Sequence, residues 1–270
     1  MIGGCLGRAQ RVYGMRVHGC VFLSNHYHLL LSPDDPYQLA AFMNHFNSKL
    51  AREVARLHGW NERIWGHRYH AIPVSDEEAA QVEQLRYLLA QSCKEDLVEQ
   101  PGEWPGVHCA EALRDGTALL GHWYDRTAEA VARHRGKRPE DLSFVHPEQV
   151  VFSPLPCWAH LPPDEYRQRI RESLVEITSR SAAERAWRGA KVLGAKRVLS
   201  LDPHTRPATV ARRPAPWIHA ATSAARTAFR LAYRLFVVAF REAARRLRAG
   251  RLPVSFPPWS FPPHLPRPTG

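Results

Sequence analysis

Near the start of the chain, two apolar runs lie only a two-residue turn apart. Arg16–Leu23 (RVHGCVFL) is rich in β-branched and apolar residues, Ser24-Asn25 has turn chemistry, and His26–Leu31 (HYHLLL) follows at once. This pattern predicts two successive strands, the second buried on both faces because its leucines run on without a polar break. Helices should surround them. Met1–Tyr13 reads as a short helix stopped near Gly14. Tyr37–His58 carries Leu39, Phe42, Met43, Phe46, Leu50, Val54 and Leu57 at helical spacing after the Ser32-Pro-Asp-Asp-Pro36 loop, and Gly59 ends it. Arg63–Val74 suggests a loop leading into a strand. Ser75-Asp-Glu-Glu78 then starts a helix expected to run to about Val98, with acidic groups where the helix dipole favours them. These elements predict an α+β catalytic unit over residues 1–120: an antiparallel sheet backed by helices, with the histidine strand in its middle.

Downstream the composition changes. Residues 121–216 read as a helical and Pro-rich linker region, with Asp164–Gly189 helical and Pro203–Pro216 extended. Residues 217–270 read as a basic amphipathic helix, about His219–Ala249, and a proline-punctuated tail that cannot be regular helix or central strand. The formal net charge of +11 is concentrated here. Ala186–Gly270 holds 16 Lys and Arg against 2 Asp and Glu, whereas the other 185 residues hold 21 against 24. A surplus confined to one third of a chain points to a polyanionic partner, with nucleic acid the leading candidate. Five widely spaced cysteines with no CxxC pair argue against a disulfide framework and a cysteine zinc site. No run of roughly 18 to 20 apolar residues is present to span a membrane, and the first residues lack a signal-peptide pattern, so a cytoplasmic location without a membrane partner is expected.

Candidate chemistry lies in two elements. His26 and His28 are two apart, so on a strand their imidazoles share a face while Tyr27 points to the other. That is half of a divalent-metal site. Tyr87 and Gln91 lie four apart on the predicted helix, one turn from each other on one face. A glutamine carbonyl is a hard, neutral oxygen donor suited to Mg2+ or Mn2+, and a tyrosine can attack a phosphodiester as a covalent nucleophile. Each spacing alone is common; their combination carries the argument. His67 and His70 fit solvent-facing loop histidines better than a second ligand set, and Lys94, beyond Gln91, fits a solvated helix position.

The stretches LSNHYHLLLSP, FMNHFNSKLARE, IWGHRYHAIPVSDEEA and LRYLLAQSCKEDLVEQPGEWPGVH, in this order, resemble the HUH single-tyrosine transposases of the insertion-sequence 200-like superfamily, and most closely their REP-associated branch. The resemblance covers about Gly14–Trp123. It implies an HUH, ferredoxin-like nuclease core, His26, His28 and Gln91 as metal ligands, and Tyr87 as nucleophile. It implies a DNA-proximal segment at Trp65, Arg68 and Tyr69. The implied reaction cuts single-stranded or hairpin DNA, leaves a 5′-phosphotyrosine and a free 3′-OH, and rejoins the strand in DNA transposition; a homodimer is possible. Relatives carry a further strand ahead of the first helix, so the expectation is a core lacking that strand, with an open sheet edge. The rival reading is an inactive or truncated transposase remnant that only binds DNA.

On the C-terminal helix, Arg226, Arg230, Arg234, Arg241, Arg245 and Arg248 fall within about 100° of arc, beside a stripe of Phe229, Tyr233, Phe236, Phe240, Ala243 and Leu247. An arginine ridge of this kind can follow a phosphate backbone; a surface helix over a core and a membrane-surface helix are the alternatives. Trp259 and Phe261 in the tail fit docking onto the domain better than base stacking.

Overall fold

The computed structural model describes residues 1–138, 143–202 and 215–263. Most of the linker expected at Pro203–Pro216, and the last residues of the tail, lie outside them. The chain is α+β. Helix α1 (Ile2–Tyr13) leads through Gly14 into strand β1 (Arg16–Phe22), which pairs antiparallel with β2 (Tyr27–Ser32). Helix α2 (Pro36–His58) follows. Asp35 caps it by accepting from Gln38 N at 2.7 Å, and Gly59 ends it at φ 63°. Next come α3 (Glu78–Leu89), the single turn α4 (Gln91–Lys94), α5 (Ala110–Asp115), β3 (Leu119–Tyr124), α6 (Arg126–His134), β4 (Val145–Val150), α7 (Pro163–Arg188), α8 (Ala195–Leu199) and α9 (Ser223–Arg248). Phe42, Phe46, Leu6, Met15, Leu85, Leu89 and Ile170 are fully buried in one continuous core drawn from α1, β1, α2, α3 and α7.

Three sequence expectations need correction. β2 is not the middle of a sheet: β1 is its only partner among the described residues, and all six of its residues are half-buried rather than buried. β1 is the inner strand instead, buried from Val17 onward. Its other edge is covered by irregular chain: Phe22 N donates to Val107 O (2.9 Å), Cys109 N to Cys20 O (3.0 Å) and Ser153 N to Val17 O (2.8 Å). The EWPG turn serves this cover, because Trp104 Nε1 donates to Phe22 O at 2.8 Å. The third correction concerns the tyrosine helix. It starts at Glu78, within the expected segment, but stops at Leu89 rather than near Val98.

The β3–β4 hairpin was not anticipated within the region read as linker. It runs in register from Leu119↔Val150 to Tyr124↔Val145 and receives α1 at very close range. The reason lies in α1's glycines. A Cβ at Gly4 would sit 2.1 Å from His122 O, and one at Gly7 would sit 2.6 Å from Gln149 O. At the far end of α1, Glu148 of β4 receives Arg8 (3.3 Å) and Arg11 (2.8 Å), which hold its carboxyl below the usual range.

His108 links the β1 cover to α3. Its Nδ1 accepts from Ala110 N at 3.0 Å and its Nε2 pairs with Leu89 O at 3.2 Å, a set that suits only the neutral ring. Burial pushes its pKa down from 6.5 to about 4. Between those values the unfolded chain holds a proton that the folded chain does not. Stability is therefore fully present above about pH 6.5, falls as the pH drops toward 4 and levels off below, by about 3 kcal/mol for this group. Urea midpoints at pH 7 and 4.5 should differ accordingly, and His108→Asn should flatten the difference. An unchanged pH dependence in that variant would count against this account.

Candidate active site

The turn between β1 and β2 is closed by Leu23 N donating to His26 O at 2.9 Å, which places His26 one residue before the strand and His28 within it. The period-two geometry still puts both imidazoles on one side, with ring centroids 5.1 Å apart. Asn25 Oδ1 lies 2.6 Å from His26 Nδ1, which fixes that ring and leaves its Nε2 as the outward nitrogen. His28 Nε2 is buried without a hydrogen-bond partner among the described residues. Burial lowers both histidine pKa values, His28 to about 4, with His26 and Lys94 adding to the effect. Both rings are therefore neutral at neutral pH, the form in which imidazole binds metals.

Helix α3 lies across β1 and β2, with Leu85 and Leu88 approaching Gly19. This brings Tyr87 to the histidines: its ring centroid lies 5.6 Å from that of His28, nearly perpendicular, and the residue is 43% exposed. Lys94 Nζ lies 4.9 Å from the centre of the same ring. Lys94 is exposed, as a solvated helix position should be, while its ammonium also lies against that ring.

Gln91 does not simply continue the helix one turn on. The helical ladder is interrupted at Ala90, and Gln91 Nε2 donates to the Tyr87 carbonyl at 2.9 Å. Buried and anchored by its amide nitrogen, Gln91 keeps its side-chain oxygen as the group left to donate to a cation. Two imidazoles and an amide oxygen are donor types that divalent ions accept. No group of three or more His, Cys, Asp or Glu that could hold a metal ion occurs among the described residues.

The second tyrosine near the pair is set apart by chemistry. Tyr27 points to the opposite face, donates to Asn47 Oδ1 at 2.6 Å, and burial pushes its pKa to about 12. Trp65 belongs to that same face: its ring lies 5.6 Å from Tyr27 and its Nε1 donates to Asn47 O at 2.9 Å. Trp65 and Tyr69 are half-buried against the core, and Arg68 is exposed over the Tyr69 ring at 5.4 Å. Asn47, which joins Tyr27 to Trp65, was missed in the sequence; its only signal was its place on the buried side of α2.

The arginines of α9 divide into two sets. Arg226 donates to Ala220 O at 2.9 Å and Arg245 pairs with Glu242 at 2.7 Å. Arg230, Arg234 and Arg241 instead line a groove with Trp217 and Tyr233. The tail folds back on α9, with Phe256 5.3 Å from Phe240 and Phe261 4.9 Å from Tyr37 of α2. Among the described residues no helix is long and apolar enough to cross a membrane.

A protein-family model described as "Transposase IS200 like" matches residues 3–90, the span holding the two histidines and Tyr87. No curated protein and no solved structure matches the chain. This N-terminal part of the chain belongs to the IS200-like transposase superfamily.

Proposed function

We propose that the chain is a metal-dependent single-stranded DNA endonuclease and strand transferase acting in DNA transposition. The observation that carries this reading is the meeting, within one chain, of an accessible phenol and a neutral imidazole whose buried Nε2 has no partner among the described residues. His26, His28 and Gln91 would hold Mg2+ or Mn2+. When bound, such an ion supplies charge withdrawal from the phosphate oxygens of the target. The Tyr87 oxygen forms a bond to phosphorus as the bond from phosphorus to the 3′ oxygen breaks. The phenol proton passes through solvent to the departing 3′ oxygen, leaving a 5′-phosphotyrosine and a free 3′-OH. Attack of another 3′-OH on that linkage restores the phenol and rejoins the strand, so no ATP is needed. Lys94, 4.9 Å from the centre of the Tyr87 ring, would meet the phosphate. Because Tyr87 meets His28 within one protomer, cutting would not require a helix from a second copy, and a homodimer would serve to hold two DNA ends.

A 3′-labelled single strand incubated with the protein and Mn2+ should give a covalent protein–DNA adduct that chelation abolishes. His28→Ala should lower cleavage by at least about 100-fold, with little loss of DNA binding. Binding of the strand without an adduct under any divalent ion would sink this reading and leave a DNA-binding remnant.

A further inference from the structure

Outside the histidine–tyrosine site, the most distinctive surface is the groove on α9. Trp217 and Tyr233, 62% and 43% exposed, meet edge to face with centroids 5.2 Å apart, and Phe229 stacks against Tyr233 at 6.4 Å. Arg230, Arg234 and Arg241 flank them, with Val237 in the floor of a cavity of about 650 Å³. At 100° per residue these arginines span only about 40° of the helix, over a length of about 16 Å. None of the three has a carboxylate partner among the described residues, unlike Arg245.

The groove is also fixed relative to the tyrosine helix. The segment carrying Trp217 is stitched to the residues just before α3: His219 N donates to Pro73 O (2.9 Å) and Ser75 N to His219 O (2.8 Å). The Glu77 carboxylate then accepts from Thr222 Oγ1 (2.6 Å), Ala221 N (2.9 Å) and Ser75 Oγ (2.8 Å). From Glu77 in that clamp, Tyr87 lies about 15 Å along α3.

We infer that this groove binds unpaired bases of single-stranded DNA, stacking them on Trp217 and Tyr233 while Arg230, Arg234 and Arg241 meet the phosphates. Exposed aromatic rings beside guanidinium groups that have no carboxylate partner among the described residues complement a polymer that offers both π-faces and regularly spaced negative charge. A duplex offers the charge but hides the faces. The choice of DNA as the polymer rests on the nuclease reading; the preference for unpaired bases rests on the groove itself.

The test uses full-length Tyr87→Phe protein, so that binding is read without chemistry, with a labelled oligothymidine and a duplex of equal length. The combined change Trp217→Ala/Tyr233→Ala should weaken single-strand binding about tenfold or more and change duplex binding less than about twofold. Trp217→Phe/Tyr233→Phe, which keeps the rings, should restore most of it. Replacing Arg230, Arg234 and Arg241 by Gln should weaken both ligands and lower the salt slope by about one per arginine. Unchanged single-strand affinity in the alanine variant with native circular dichroism would overturn the inference. So would equal losses for single strand and duplex, or preferential binding to phosphatidylserine vesicles. If the single-strand pattern appears while the wild-type chain forms no covalent adduct, the groove stands and the nuclease reading fails. An adduct formed by a chain whose alanine variant binds normally gives the reverse.

Discussion

Tyr87→Phe is expected to eliminate the covalent protein–DNA adduct and to lower single-strand cleavage by at least about 10³-fold, leaving fold and DNA affinity intact. The separation of effects follows from how the residue is held. The ring packs edge-on to His28 and under the Lys94 ammonium, contacts that phenylalanine keeps. The hydroxyl makes no hydrogen bond among the described residues, so its removal leaves no buried group unsatisfied. Denaturing gels with a 3′-labelled strand would read the adduct, and thermal melting would read the fold. An adduct of undiminished yield would mean that another residue attacks. Tyr27 is a poor substitute, because it faces away, donates to Asn47 and is held near pKa 12.

The second large effect is on stability. Gly4→Ala should destabilise the protein by about 3 kcal/mol or more, although alanine is favoured over glycine by about 1 kcal/mol inside a helix. The added Cβ would fall 2.1 Å from His122 O and 2.6 Å from Trp123 N, both backbone atoms of β3 that cannot rotate aside. Either α1 must lift from the hairpin or β3 must bend. Both routes disturb the seat of Leu6 and Ala9, which are completely buried. Measured against a total stability of about 5–15 kcal/mol for a domain, this is a severe change. Gly66→Ala supplies the control, since a Cβ there meets nothing within 4 Å. Equal urea midpoints for the two variants would refute the close packing of α1 on the hairpin.

Much of the first unit was legible from local rules. The Ser24-Asn25 turn between two apolar runs gives β1 and β2. Asp35, Pro36 and Gly59 delimit α2, and the spacing of His26 and His28 gives two rings on one side. α7 and α9 also fall close to their expected bounds. The long-range features were not legible. LLGHWY and VHPEQV carry little strand signal by themselves; they become a hairpin because α1 offers a glycine face against them. The break at Ala90 has no local marker either, since neither Gly nor Pro is present there. Only the fold reveals that Gln91 turns its amide back to the Tyr87 carbonyl. Trp217 was overlooked because it stands among prolines, and its partner Tyr233 is remote in sequence until the Glu77 clamp brings the segment against α3.

By itself, then, the order of residues determined which side chains share a face and which elements hold them, because turns, caps and periodicity act over a few neighbours. Tertiary structure decided where those elements meet. It set Tyr87 beside His28, made β1 rather than β2 the inner strand, and left the α9 arginines partly paired and partly open. The reason is physical: burial, close backbone approach and the pairing of charges depend on residues far apart in the chain, and no local pattern encodes which distant surface will be there.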